Sequence, residues 1–390
     1  MKWIMLLGIL LVATSCTDKQ SKDTNLLTIN VKTSGDAIDN PFPYSHYVML
    51  DTPDDVIIGD IKKLQIIGNN IYVMDNQHQS VFCFDLQGNY LHHLTKRGRS
   101  DKEYIRIEDF EVNPDNTLCI FDSNQKRIIK YDSSGNFINS MPSINGVAFK
   151  LLNDGLIAYN RGNGSASINK DPDQQLYNYA CTRGQDIEIN AVPFDKRLEG
   201  RRFFFGQSKN FFYEWEREIF MSSMLNDTIF KISKRDGRIE PYITFDMGNN
   251  KRANAKREVL LSFVDDIIEG KSISLPYNFQ KNGNLLMIMY SHDLRVHTFI
   301  YDMETNMSIN GIMSSNKYGL PFSPVSYLNS DNLSKVITLL EPHNIQLFLN
   351  LSEKKGLDTS ILEELRLKSN ENDNTILIFN DWPEHIFAKQ

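Results

Sequence analysis

The stretch IYVMDNQHQSVFCFDLQG, residues 71–88, returns in outline 47 positions later as LCIFDSNQKRIIKYDSSG, residues 118–135. Each copy runs apolar segment, Asp, polar turn, apolar segment, Asp, two residues, Gly. The shared positions are Asp75 and Asp122, Asp85 and Asp132, Gly88 and Gly135. Short apolar runs bounded by turn residues read as strands. Asp in a turn bonds its own backbone, and Gly supplies left-handed dihedrals. Residues suited to chemistry do not repeat: His78 aligns with Gln125, and Cys83 with Lys130. What recurs is the turn pattern of a structural unit.

Working outward, KLQIIGNNIYVMD (63–75), SVFCFD (80–85) and YLHHL (90–94) make one unit of four strands. DFEVNPDNTLCIFD (109–122), RIIKYD (127–132) and FINSM (137–141) make the next. Four antiparallel strands repeated every 40–50 residues are the signature of a β-propeller blade. Looser copies follow at 148–162 with 175–184, at 210–248, and at 275–291 with 297–306. ILIFN (376–380) supplies a sixth, and LLTINV (26–31) or YVML (47–50) would close the ring beside it. The expected fold is all-β, a six-bladed β-propeller of four-stranded antiparallel blades with a few inserted helices. Helical periodicity places those insertions near 253–270, 332–341 and 353–368. A lone blade exposes apolar residues on both faces, so blade-on-blade stacking must carry the stability.

The chain opens MKWIMLLGILLVATSC. Lys2, the apolar run Ile4–Val12 and the small residues before Cys16 read as a secretory signal peptide over residues 1–15. The run is shorter than the roughly 20 residues a spanning helix needs. Cys16 is the expected lipidation site, residues 16–25 a polar tether and residues 26–390 the propeller. A net charge of −7 gives no indication of a nucleic-acid partner. The 23 Phe and 16 Tyr suit sheet packing. Cys83, Cys119 and Cys181 show no metal-ligand spacing, cannot all pair internally, and are expected as buried free thiols.

Three stretches resemble one family. They are YVMLDT (47–52) with IGDIKKLQIIGNNIYVMD (58–75), GNYLHHLTKRGRSDKEYIRIEDFEV (88–112) and NENDNTILIFN (370–380). Together they resemble the six-bladed β-propeller lipoproteins of Bacteroidetes, distant relatives of NHL-repeat proteins. Between the first two blades that family tends to carry Gly-Pro-Gly-Glu-Tyr. Here Glu103 and Tyr104 match, and the Pro and second Gly do not. The resemblance implies the fold and an outer-membrane lipid anchor, and no particular activity.

Candidate sites are few. In KRGRSDKEY (96–104), Arg97, Arg99 and Lys102 offer positive charge to an anionic or sugar ligand. Glu103 and Tyr104 would either join them or pin the crossover between blades. The repeated Asp residues sit at turn positions. Asp109, at the start of an inner strand, is the better ligand for a cation. Ca²⁺ would need six to eight oxygens, the pattern does not supply them, and no cofactor or metal is predicted. His92 and His93 point to opposite faces of one strand and cannot chelate together. No nucleophile elbow, Walker or Rossmann pattern occurs, and no catalytic residue is assigned. Asp227-Thr228-Ile229 resembles the O-glycosylation motif of exported Bacteroidetes proteins, with Thr228 as acceptor. The expected function is an envelope binding or interaction protein for a glycan, peptide or protein. The alternative is a propeller hydrolase or lyase with a divalent cation in its channel.

Overall fold

The computed structural model describes residues 26–32, 36–54, 56–162, 177–198, 211–223, 226–248, 256–269, 271–322, 324, 327–329, 335–384 and 386. Six sheets follow one another in a ring. Blade one comprises Ile61–Ile67, Asn70–Asp75, Ser80–Asp85 and Tyr90–Leu94. Blade two comprises Asp109–Val112, Leu118–Asp122, Arg127–Tyr131 and Phe137–Pro142. Blade three comprises Ala148–Leu151, Leu156–Asn160, Tyr177–Arg183 and Asp186–Pro193. Blade four comprises Phe212–Trp215, Glu218–Met221, Thr228–Ile232 and Ile239–Asp246. Blade five comprises Tyr277–Asn282, Leu285–His292, Arg295–Asp302 and Ser308–Met313. Blade six is a sheet of Lys335–Leu340, Ile376–Asp381 and the N-terminal Tyr44–Met49. The six-bladed expectation holds.

The period of two explains the unbroken apolar runs. In blade one Ile71, Val73, Phe82 and Phe84 pack toward blade six, while Tyr72, Met74, Val81 and Cys83 pack toward blade two. Successive side chains of a strand leave opposite faces, and here both faces are covered. A separate apolar cluster fills each of the six junctions between neighbouring blades. Cys83, Cys119 and Cys181 are buried free thiols within these clusters, as expected.

Of the repeated residues, Asp75, Asp122 and the two Gly meet a neighbouring blade or its linker as well as turning the chain, whereas Asp85 and Asp132 bond within their own turns. Asp75 accepts the N–H groups of Gly59, Asp60 and Gln77, and Asp122 those of Ile105, Asn124 and Gln125. Each carboxylate therefore ties a second-to-third strand turn to the linker arriving from the preceding blade. Gly88 (φ +89°) and Gly135 (φ +76°) sit in the third-to-fourth strand turns, against Met49 of blade six and Leu94 of blade one.

The N-terminal segment forms a belt. Leu27–Asn30 adds in parallel to the outer strand of blade four, and Ala37–Ile38 to that of blade five. Tyr44–Met49 then closes blade six antiparallel to Ile376–Asp381. Of the two proposed closing segments, the one containing YVML closes the ring, whereas LLTINV reinforces blade four.

The helices need one correction. The segment expected as a helix near 332–341 is the strand Lys335–Leu340, paired along its length with Ile376–Asp381. Its Val336, Ile337 and Thr338 are β-branched, and sheet pairing outweighs the helical spacing of Leu333, Val336, Ile337 and Leu340. Helix α1 (Arg257–Ile268) lies within 253–270 as expected. In place of one helix near 353–368 there are two, α2 (Ile345–Lys355) and α3 (Ser360–Lys368), separated at Gly356 with φ +66°.

Because strands alternate in direction, second-to-third strand turns open where the inner strands begin. The Asp75 and Asp122 bonds place the incoming linkers there too. Helix α1 lies in the linker to blade five, and α2 and α3 lie between Lys335–Leu340 and Ile376–Asp381 of blade six, which take the second and third positions of that blade because Pro324 bridges to Thr338 on the inner side. All three helices thus belong to connections that open on one side of the ring, called here the entrance face.

Candidate functional site

The inner strands carry charge where an apolar run would be expected. Lys63 of blade one donates to Asp109 at 2.5 Å and to the Phe110 carbonyl at 2.8 Å, both in blade two. Gln65 exchanges two bonds with the backbone of Val112. Asp109 also accepts the Phe149 N–H of blade three at 3.1 Å. Glu111 holds Lys150 of blade three at 2.5 Å and accepts the Leu151 N–H at 2.8 Å. Lys150 reaches Glu214 of blade four at 2.9 Å, and Glu214 also pairs with Lys234. Burial opposes the charge on Lys150, but Glu111 and Glu214 outweigh it and raise its pKa. Burial likewise raises the Glu214 pKa, and Lys150 and Lys234 more than reverse it. This ladder couples blades one to two, two to three, and three to four. Its carboxylates and lysines are committed to one another.

The backbone of Tyr327–Asn329 runs parallel to Leu64–Ile66 of blade one and lies against Phe212–Trp215 of blade four. Those blades stand opposite each other, so this strand lies in the channel between them. The chain leaves blade six at Pro324, which bridges to Thr338. Among the described residues, no three His, Cys, Asp or Glu side chains gather as a metal site.

The linker between blades one and two is closed on itself. Tyr104 is fully buried; its hydroxyl accepts the Lys96 N–H at 3.1 Å and donates to the Gln79 carbonyl at 2.8 Å. Backbone bonds join Gly98 to Tyr104 and Tyr104 to Lys96. Arg127 donates to the carbonyls of Ser100 (2.6 Å) and Glu103 (2.7 Å), and Tyr131 to that of Lys102 (2.8 Å). Glu103 accepts the Ser100 N–H at 3.0 Å, and that donor leads those holding its pKa below the usual range. Glu103 and Tyr104 therefore pin the crossover. Arg97, Arg99 and Lys102 are exposed.

The remaining sequence candidates lie apart from this loop. Asp109 is buried in the ladder, with both oxygens engaged. Thr228 is half-buried at a strand start, its hydroxyl bonded to Thr244 at 2.9 Å. Cys16, the signal peptide over 1–15 and the tether over 16–25 lie outside the described residues. Sequence reasoning missed Lys63, Gln65, Glu111, Lys150 and Glu214. Their signal was polar residues at inner-strand positions of successive blades, in KLQII, DFEV, AFKL and FYEW.

Comparison with solved structures supports this architecture. The "putative exported protein" of Bacteroides fragilis superposes with a TM-score of 0.67 at 17% identity, over 91% of this chain and 98% of that one. A member of the DUF4221 family from Bacteroides vulgatus gives 0.51 at 9% identity, over 87% and 97%. At these identities the likeness is one of fold. Among curated proteins none matches the sequence. A family model, the domain of unknown function DUF4934, matches residues 28–380. The chain belongs to the DUF4934 family.

Proposed function

We propose that this chain is an exported, lipid-anchored propeller of the outer membrane that binds a protein or peptide partner through its entrance face. The observation that carries the reading is the set of aliphatic side chains exposed on that face. Ile57 lies in the linker to blade one, Val259 and Ile268 on α1, and Leu294 in a turn of blade five; they are 65%, 60%, 52% and 78% exposed. They come from separate connections that share one side of the ring, where each offers a partner apolar area to remove from water. Sugars are usually gripped by exposed aromatic rings, and the large exposed hydrophobic side chains among the described residues are aliphatic or Met. That favours a polypeptide over a glycan. The N-terminal apolar run ending at Cys16 supports export and anchoring, as does the shared fold with a protein described as exported. The hydrolase or lyase reading has less support, because the channel holds a strand and the inner carboxylates already pair with lysines.

The test is cross-linking in cells followed by quantitative mass spectrometry. The wild-type chain is compared with a variant carrying Ile57→Asp, Val259→Asp and Leu294→Asp. Partners enriched by the wild type and lost from a variant of equal melting temperature support the reading. Identical sets from both proteins overturn it. Incorporation of labelled fatty acid, abolished by Cys16→Ser, tests the anchor separately.

A further inference from the structure

We propose that the corner of the entrance face between blades one and two is a docking site for an acidic segment of a protein partner. This deepens, and rests on, the partner-binding reading. Residues 96–108 with Lys126 and Arg127 hold seven cations against three carboxylates, in a chain whose net charge is −7. Two of the cations are engaged: Arg106 faces Glu108 at 3.7 Å, and Arg127 faces Asp101 at 3.4 Å while gripping the loop backbone. The other five, Lys96, Arg97, Arg99, Lys102 and Lys126, form no ion pair with any described residue. Four are exposed on the loop, and Lys126 lies in the adjoining turn, also exposed. Lys102 additionally rests over the Phe137 ring at 6.0 Å.

A cluster of like charges repels itself, and a flexible loop would spread it apart. Here the spread is prevented by groups other than the cations. Tyr104, Arg127, Tyr131 and Gln125 fasten the loop backbone. Asp122 fastens Ile105 at 2.6 Å, leaving the Ile105 side chain 39% exposed among the charges. The result is a pre-organised basic surface with one apolar contact. Pre-organisation lowers the entropy lost on binding, and complementary charge steers the encounter.

The footprint selects a narrow anion over a flat one. The neighbouring linker, held to the same blade-one turn through Asp75, exposes Asp51, Asp54 and Asp60. A bilayer rich in anionic lipid would meet these carboxylates together with the cations. A polypeptide segment laid along residues 96–106 would avoid them. Such a segment would bring Glu or Asp to the five cations and an aliphatic residue to Ile105.

The test uses the full mature chain and fluorescence anisotropy. The probes are a labelled peptide of Glu residues with interspersed Leu, and a matching peptide with Lys in place of Glu. Vesicles containing phosphatidylglycerol are measured by flotation. The test variant combines Lys96→Gln, Arg97→Gln, Arg99→Gln, Lys102→Gln and Lys126→Gln, which spares every group that fastens the loop. A control variant combines Lys32→Gln, Lys271→Gln, Lys354→Gln, Lys355→Gln and Arg366→Gln, removing as many exposed cations elsewhere. We expect salt-sensitive binding of the Glu peptide, weakened by at least about tenfold in the test variant and retained in the control. Failure of the wild type to bind that peptide, equal loss in both variants, or preferential capture of vesicles overturns the proposal. Cellular cross-linking separates the two levels. Partners kept by the five-cation variant but lost with the three aliphatic substitutions sink this site alone. Partners kept by both sink the partner-binding reading itself.

Discussion

Gly88→Ala should destabilise the ring far more than Gly135→Ala, although the two glycines hold the same place in the repeat. Both have positive φ, +89° and +76°, where an L side chain costs about 1–2 kcal/mol. Replacing Gly also stiffens the unfolded chain and returns about 0.5–1 kcal/mol. The surroundings make the difference. A Cβ on Gly88 would lie 2.0 Å from the Met49 carbonyl oxygen and 2.8 Å from Val48 Cγ1, in the strand that closes blade six. A Cβ on Gly135 would meet Leu94 Cδ1 at 3.5 Å, an ordinary contact. Relieving the Gly88 clash must move the bond from Asp51 N–H to the Gly88 carbonyl, 3.0 Å long. Overpacking of this kind costs about 1–3 kcal/mol, and the strained hydrogen bond about 1 more. The expected losses are about 3 kcal/mol for Gly88→Ala and about 1 kcal/mol or less for Gly135→Ala. A chain of this length has an unfolding entropy near 0.7–0.8 kcal/mol per kelvin, about 2.1 cal/mol/K per residue. Melting temperatures should fall by about 4 °C and about 1 °C, read by circular dichroism. Equal shifts, or a larger one for Gly135→Ala, would refute the claim that the repeated Gly at blade one guards ring closure.

Lys150→Met leaves Glu111 without its buried cation and should cost about 3–5 kcal/mol; adding Glu111→Gln should recover part of it, and no recovery in thermal melts would count against the ladder. Asp75 titrates below its ordinary range: burial raises its pKa, but the N–H groups of Gly59 and Asp60, the His78 ring and the Gln77 N–H outweigh burial. A lowered native pKa gives stability that is present at neutral pH and lost as pH falls through it. Asp75→Asn should therefore cost about 1–3 kcal/mol near pH 7, and the gap to wild type should narrow toward about pH 3 in urea titrations. Tyr104→Phe removes the hydroxyl that joins Lys96 to Gln79; melting should register about 1–2 kcal/mol of lost stability, while affinity for the Glu peptide changes little. Burial raises the pKa of Cys83 and Cys181 to about 11 and of Cys119 to about 12, so a chain starting at Thr17 should react with a thiol reagent at pH 8 only after unfolding.

The first two blades were legible because their middle strands are apolar on both faces and their turns carry Asp and Gly at fixed spacing, and the next three followed as looser copies. Blade six was legible only in part: ILIFN (376–380) and a closing YVML (47–50) were read, with LLTINV (26–31) as an equal candidate, and three physical features hid the rest. Its outer strand comes from Tyr44–Met49, hundreds of residues from its partner Ile376–Asp381. Its Lys335–Leu340 strand has apolar residues spaced as on a helix, and only pairing with Ile376–Asp381 decides its state. The strand after Pro324 joins the inner strand of blade one from within the channel, and no local pattern announces such a parallel pairing. The inner ladder was hidden differently. Lys63, Asp109, Glu111, Lys150 and Glu214 are individually unremarkable charges, and each acquires a partner only when the ring closes.

The linker of residues 96–104 shows why structural and binding readings of one motif need not compete. Its buried members and its exposed members do different work. Tyr104 and Glu103 spend their hydrogen bonds on the loop itself. Arg127 and Tyr131, from the next blade, hold the same backbone from below. The side chains of the cations between them make none of those bonds and are exposed. Fixing a backbone so firmly while leaving its charges in solvent costs self-repulsion that a neutral loop would avoid. The same blade junction could be closed by Tyr104, Arg127 and Asp122 with uncharged residues at 97, 99 and 102. Charge at those positions is not needed for closure, and a negatively charged partner is the term that would offset its cost.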